Sequence, residues 1–354
     1  MNPTEAVMPL SLRTAVPADA RAVAAFVLAH PQGTPFQLPA WIEGVEAGAG
    51  QRGHILIAER GGRVEGVLPL TAIKSALFGK ALVSSGFAVG GGALAETDDA
   101  AEALLAEGWR MAGALGCPSF ELRGGYLPSG EGWQRKSGAY AGFVRPLAAD
   151  DEAELKAIPR KQRAEVRKAL DGGLTVTIGT GPKDRAAHYA VYAESVRNLG
   201  TPVFPKRLFA AMLDRFGEDA DILTVWHESK PVASVLSLYH NGVVMPYWGG
   251  GTFGARGLRA NERMYFALMC HARQRGCTAF DFGRSKLGTG PFAYKKNWGF
   301  EPTPLDYAVR TADGSEPREV NPLSPKYRAR IAMWKKLPLC LANRIGPPIA
   351  RGLG

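Results

Sequence analysis

Apolar and polar positions alternate at two different periods along this chain. Period-2 stretches at Leu10–Thr14, His54–Glu59, Val64–Ala72, Leu82–Phe87 and Ser119–Arg123 predict strands, with Gly61-Gly62 turning the second into the third. Helical spacing predicts a helix from the Asp19 cap to Ala29, a short one over Trp41–Val45 and a long one over Asp98–Leu115. Phe143–Arg145 extends the sheet. The same order then recurs: helices over Glu154–Leu170, Asp184–Leu199 and Lys206–Phe216, strands at Leu174–Ile178, Ile222–Trp226, Val232–Tyr239 and Val243–Trp248, a helix over Asn261–Arg275, and a strand at Ala279–Phe282. A turn is expected at Ser229-Lys230. Helix, antiparallel strands, helix, strand is an α+β order, unlike the strict alternation of a doubly wound sheet.

The recurrence extends to short words. Gly33-Thr34-Pro35 returns as Gly200-Thr201-Pro202, Ile55-Leu56 as Ile222-Leu223, Gly90-Gly91-Gly92 as Gly249-Gly250-Gly251, and Gly116-Cys117 as Gly276-Cys277. Collinear repeats with one short deletion mark a duplicated domain. The 354 residues then divide into an N-terminal domain over 1–150, a C-terminal domain over 151–315 and a tail over 316–354.

Composition narrows the setting. With 46% hydrophobic and 21% charged residues the chain is ordinary for a globular protein. Met1 to Leu12 lacks a secretory pattern and the Ala22–Ala29 run is far short of a bilayer span, so the expected compartment is the cytoplasm. Cys117, Cys270, Cys277 and Cys340 show no CxxC spacing and are read as reduced. The six histidines form no zinc-ligand spacing, and neither GxSxG nor a dinucleotide GxGxxG is present. A net charge of +10 gathers in two places: Lys326, Arg328, Arg330, Lys335, Lys336, Arg344 and Arg351 in the tail, and Lys156, Arg160, Lys161, Arg163, Arg167 and Lys168 at the head of the second repeat. Such patches imply an anionic partner, whether RNA, a phosphate-bearing substrate or a membrane surface. The tail suits a peripheral membrane contact at the inner face, or packs Ile331 and Trp334 back onto a domain.

Several residues carry candidate chemistry. The glycines Gly249, Gly250 and Gly251 break the strand ending in Tyr247 and Trp248; either a bulge there exposes backbone N–H groups to a cleft, or the glycines serve a hairpin turn or a packing contact. Asp281 lies mid-strand between Phe280 and Phe282, an acid that must be solvated, paired with Arg284 or functional. Its counterpart in the first repeat is Glu121. Arg284, Ser285 and Lys286 follow in a glycine-bracketed loop suited to gripping a phosphate or carboxylate.

The residues resemble a family at this point. Arg163-Ala164-Glu165-Val166-Arg167-Lys168-Ala169, Tyr247-Trp248-Gly249-Gly250-Gly251, Asn261-Glu262, Phe280 to Lys286, and Phe292 through Lys295-Lys296-Asn297-Trp298-Gly299-Phe300 are similar to the Fem-type transferases of the GNAT acyltransferase superfamily, and most to the subgroup accompanying PEP-CTERM and exosortase surface systems near exopolysaccharide genes. The resemblance implies two tandem GNAT-like domains, each a mixed, mostly antiparallel sheet flanked by helices. It also implies acyl or aminoacyl transfer to an amine on an envelope or exopolysaccharide precursor, the acceptor being anionic or linked to a nucleotide or lipid. No tightly bound cofactor and no metal is implied; the donor is a co-substrate, namely aminoacyl-tRNA, acyl-CoA or acyl carrier protein. Lys295 falls in the Fem-like signature, which implies a charge stabilising the acyl oxygen or leaving group; beside it, Tyr247 lines the pocket, supplies a hydroxyl proton or packs in the core, and Asp281 orients or deprotonates the amine or only pairs with Arg284. Trp248, Asn261, Arg259, Arg284, Ser285 and Lys286 fall at substrate-binding positions. Where acetyl-CoA enzymes of this fold carry a glycine-rich pyrophosphate turn, this chain reads Arg256-Gly257-Leu258-Arg259-Ala260-Asn261, one glycine short. Two rivals stand beside this reading: an N-acyltransferase dependent on acyl-CoA or acyl carrier protein, and a non-catalytic scaffold of surface-polysaccharide assembly.

Overall fold

The computed structural model describes residues 8–312 and 325–354, the side chains of 325–328 excepted. The first half runs β1 (Leu10–Thr14), α1 (Ala20–Ala29), α2 (Pro39–Ala49), β2 (Arg52–Arg60), β3 (Arg63–Ser75), β4 (Gly79–Ser84), β5 (Leu94–Ala95), α3 (Asp98–Ala114), β6 (Ser119–Arg123) and β7 (Trp133–Pro146). The second half begins with α4 (Asp151–Ala157) and α5 (Arg160–Asp171), then repeats the order as β8 (Thr175–Gly179), α6 (Pro182–Leu199), α7 (Lys206–Phe216), β9 (Ala220–His227), β10 (Lys230–His240), β11 (Val243–Gly251), α8 (Ala260–Gln274) and β12 (Ala279–Asp281). It closes with β13 (Ser285–Lys286), α9 (Gly290–Asn297), β14 (Pro302–Thr311), α10 (Pro325–Lys336) and α11 (Leu339–Ala350).

Every strand joins one mixed, mostly antiparallel sheet, flanked by helices. Its order is β1-β2-β3-β4-β6-β14-β7-β12-β11-β10-β9-β8. The halves are stitched at the centre. β14, from the far end of the second half, inserts between β6 and β7 of the first, while the end of β7 pairs with β12 through Phe280↔Arg145 and Asp281↔Val144. The equivalent helices α2 and α7 also pack on each other, close enough that a Cβ on Gly48 would sit 2.4 Å from the Leu208 Cα. One apolar core therefore runs through both halves, joining Trp41 and Val45 to Leu208, Phe209 and Trp248. Two flanking cores lie mainly one in each half, with Ala141 and Phe143 of β7 joining the second and Ala308 of β14 joining the first.

The Gly-Cys repeat has a plain physical cause. Gly116 (φ 63°) and Gly276 (φ 84°) adopt the left-handed conformation that stops α3 and α8. The next N–H, of Cys117 or Cys277, donates to Ala112 or Ala272, each at 2.9 Å, and both cysteines are buried beneath the helix end.

Three expectations about elements need correction. The helix expected over Glu154–Leu170 is two helices, because Pro159 has no N–H to continue α4 and instead begins α5 as its N-cap. The β9–β10 turn is Glu228-Ser229, both at positive φ (48° and 65°), the geometry that matches the twist of a tight hairpin. The glycine triplets are not alike: Gly249–Gly251 are the last three residues of β11, whereas Gly90–Gly92 lie in the loop after β4.

Of the tail, Ile331 packs at the end of α6 beside Gly200 and Trp334 lies against Gly346 of α11. The Gln51 amide donates to the Arg351 carbonyl at 2.8 Å, tying the tail to the first half. Met333 and Leu341 remain exposed. Among the described residues no helix is long and apolar enough to cross a membrane. The side chains of Lys326 and Arg328 lie outside the described residues.

Candidate active site

The sheet opens in the second half. β11 and β12 run parallel but are paired only at Val243↔Ala279 and Val244↔Phe280, after which they diverge. The edge of β11 from Met245 onward faces a wedge instead of a neighbouring strand. Alternate N–H groups along an unpartnered edge point outward, so the wedge carries backbone donors whatever the side chains are.

The irregularity in β11 sits earlier than the glycines suggest. Pairing with β10 passes from Leu236↔Trp248 to Ser237↔Pro246, which makes Tyr247 the extra residue. Its ring packs against Phe36, Trp41 and Trp248, and its hydroxyl donates to the Phe87 carbonyl at 2.8 Å. Burial raises its pKa. Trp248, expected at the substrate, is 4% exposed and stacked on Trp41, so it is core. Gly249 and Gly250 stay paired with Val235 and Ser234. Their role is close approach: a Cβ would lie 2.8 Å from Val235 Cγ2 at Gly249 and 2.2 Å from Ser195 Oγ at Gly250. Of the readings open for these glycines, the packing contact is the one found: β11 lies tight against β10 and α6, and the bulge falls at Tyr247.

Asp281, at the end of β12, is partly buried, and its carboxylate accepts from the Gly283 N–H at 2.8 Å. Desolvation pushes its pKa up, against the pull of that N–H and of Lys295. It does not pair with Arg284. The Arg284 guanidinium instead lies 4.5 Å over the Tyr140 ring and donates to the Tyr307 hydroxyl at 2.8 Å, and Tyr307 donates to the Val89 carbonyl at 2.9 Å. Among the described residues it has no acidic partner. Ser285 and Lys286, expected in a mobile loop, form a short strand on Ala141 and Tyr140, with Ser285 buried.

Lys295 is the one residue that α9 buries, at 9% exposure. Its ammonium donates to the Gly283 and Arg284 carbonyls at 3.1 and 3.0 Å and lies 5.4 Å from the rings of Phe143 and Phe282. Burial, opposed by Asp281, brings its pKa down to about 8. An ammonium has three donors, so one is left for a ligand.

Lys295, Asp281 and Arg284 are therefore one cluster beside the wedge, with Tyr247 close enough to Arg284 for the guanidinium charge to act on its hydroxyl. Arg259 and Asn261 lie elsewhere, at the start of α8. Arg259 takes a left-handed conformation (φ 54°) and donates to Glu165 of α5 at 2.5 Å, while the buried Asn261 Oδ1 lies where a Cβ on Gly251 would intrude. Tyr140, Phe143, Tyr307 and the Phe87–Val89 carbonyls had no sequence signal. They arrive from β7, β14 and a first-half loop, brought in by the strand insertion.

Residues 159–296 match the acetyltransferase (GNAT) domain family, a span that includes every second-half residue of the cluster. No curated protein matches the chain in sequence. Among solved structures, FemX is 17% identical over 83% of this chain and 96% of its own, with a TM-score of 0.65. A tandem GNAT protein from the clavulanic acid biosynthesis pathway is 15% identical over 88% and 100%, at 0.56. L-PGS from Bacillus licheniformis is 14% identical over 90% and 98%, at 0.52. The fold is that of tandem GNAT proteins, and the domain match supports an acyltransferase.

Proposed function

We propose that the second half transfers an acyl or aminoacyl group to an amine on an anionic acceptor, an envelope or exopolysaccharide precursor, and that the cluster at the wedge carries the reaction. The observation that supports this most is Lys295, a buried lysine tied to two carbonyls with one donor left over and, among the described residues, no carboxylate bonded to it. In the proposed step the acceptor amine attacks the donor carbonyl carbon, forming the C–N bond. Lys295 and the open edge of β11 stabilise the oxyanion, Asp281 takes the amine proton, and Lys295 protonates the departing thiolate or alkoxide. A carboxyl whose pKa is raised and an ammonium whose pKa is lowered have the poise that proton exchange near neutrality needs. Arg284, a cation with no acidic partner among the described residues, suits a carboxylate or phosphate of the acceptor.

The test is a transfer assay with aminoacyl-tRNA, acyl-CoA and acyl carrier protein as donors, run on the wild type and on Lys295→Met, which keeps the bulk and removes the charge. Removing one oxyanion donor lowers kcat about 10²- to 10³-fold, and that loss is the expected result. Unchanged turnover in Lys295→Met refutes the assignment, and no turnover with any donor favours the scaffold.

A further inference from the structure

We propose that Tyr307 and the turn over 85–89 are positioning parts of the acceptor site, holding the Arg284 guanidinium so that its Nε–Nη2 edge meets two oxygens of a carboxylate or phosphate. The inference rests on the acyl-transfer reading only in assigning that oxyanion to the acceptor. Its starting point is strain. Among the described residues six non-glycines take positive φ, and Phe87 (67°) is the one aromatic, two residues after Ser85 (43°). A left-handed backbone is costly for a bulky side chain and persists only where the surroundings over-determine it. Here they do. Ser85 Oγ lies 2.6 Å from the Phe36 carbonyl and 2.9 Å from that of Gly91, and the Phe87 ring packs edge-on against Phe204. Four successive carbonyls each accept a side-chain donor from a different element: Gly86 from Trp41 Nε1 at 3.0 Å, Phe87 from Tyr247, Ala88 from Arg123 Nη1 at 3.0 Å, and Val89 from Tyr307. Water satisfies the carbonyls of an ordinary surface loop; this turn offers them inward.

The consequence reaches Arg284. Tyr307 has a single hydroxyl proton, given to Val89, so its oxygen faces Arg284 as an acceptor and takes the Nη1–H at 2.8 Å. The Tyr140 ring covers one face of the guanidinium at 4.5 Å, and the centre of the Tyr307 ring lies 5.6 Å from it. The turn thus fixes the hydroxyl, and the hydroxyl and rings fix the guanidinium. What is left is the Nε–Nη2 edge, which has no hydrogen-bond partner among the described residues, on a half-buried side chain. The parallel N–H groups of that edge match two oxygens of one carboxylate or phosphate. A guanidinium held beforehand also loses little freedom on binding. A hydroxyl or a single-atom anion uses only half of the edge. Tyr140 and the turn belong to the first half, so the second half alone lacks the clamp.

The test is heteronuclear NMR of the full chain, following the Arg284 Nε–H signal, assigned by its loss in Arg284→Lys, during titration with sodium phosphate, acetate and chloride. Phosphate or acetate is expected to shift the signal and chloride to leave it in place. The stronger of the two names the source, phosphate or carboxylate. Losing one hydrogen bond to a charged group weakens binding about tenfold, which is the expected result for Tyr307→Phe. Ser85→Ala, which touches neither Tyr307 nor Arg284, is expected to weaken binding in the same direction by loosening the turn. Tyr140→Leu removes the stacked face and carries the same expectation, a second reading should Tyr307→Phe not fold. A lowered thermal midpoint in Tyr307→Phe with wild-type oxyanion affinity marks a purely structural hydroxyl and overturns the proposal. Wild-type affinity in Ser85→Ala overturns the part assigned to the turn. Equal response to chloride overturns the two-oxygen grip, and no response to any of the three overturns the site. All these outcomes leave the transferase reading to Lys295→Met. Binding as expected in a chain that transfers from no donor supports the clamp and refutes the transferase reading instead.

Discussion

At the scale of single residues, Lys295 carries a cost that function explains better than packing does. Its pKa falls from the ordinary 10.5 to about 8 because burial disfavours the ammonium. Below pH 8 the side chain is charged in both the folded and the unfolded chain, and its burial destabilises. Between pH 8 and 10.5 the folded chain sheds the proton first, the unfolded state binds more protons, and stability rises with pH. Above 10.5 both states are neutral and the penalty is gone. Urea unfolding at pH 7 and pH 10 therefore tests the assignment: the wild type gains up to about 3 kcal/mol relative to Lys295→Met across that window. Transfer activity has the opposite trend and declines above about pH 8, as the ammonium is lost. An activity profile flat from pH 7 to 10 contradicts a charged role for this side chain.

Elements impose a different constraint, seen where β11 meets α6. Gly250 allows the helix to approach until Ser195 touches the strand, and a Cβ at Gly250 would lie 2.7 Å from the Ser195 Cβ. Overpacking of this kind costs roughly 1–3 kcal/mol. Gly250→Ala should lower the thermal midpoint by several degrees, and Ser195→Gly in the same chain should recover most of the loss. If the single variant is as stable as the wild type and inactive, the glycine serves a ligand and not the helix. The triplet in the first half lies in a loop, where Gly92 sits against the Gly124 backbone. The same three letters thus satisfy two unrelated close approaches, one between helix and strand and one between loops.

The whole molecule is held together by exchange of strands. A cut at residue 150 strands β6 and β7 without β14 between them, leaving unpaired edges at the centre of the sheet. Residues 1–150 alone are accordingly expected to show no cooperative thermal transition by circular dichroism, whereas the full chain unfolds with far-UV and tryptophan signals coincident. A sharp transition for the fragment would show that the insertion is dispensable. Much was legible beforehand: the strand and helix order, the duplication, and Asp281, Arg284 and Lys295 as candidates. Those follow from local period, from capping glycines and from charges placed beside aromatic runs, all of which act over a few residues. Tertiary structure alone decided that Arg284 turns from Asp281 to Tyr140 and Tyr307, that Trp248 is core, and that Tyr247 is the extra residue in β11. The Arg284–Tyr140 and Trp248–Trp41 contacts join residues more than a hundred positions apart, and the extra residue at Tyr247 is set by its register against Leu236 and Ser237 of the neighbouring strand; no local periodicity encodes either. The sequence set the elements and their chemistry; pairing of β14 into the other half decided which of them share one wedge.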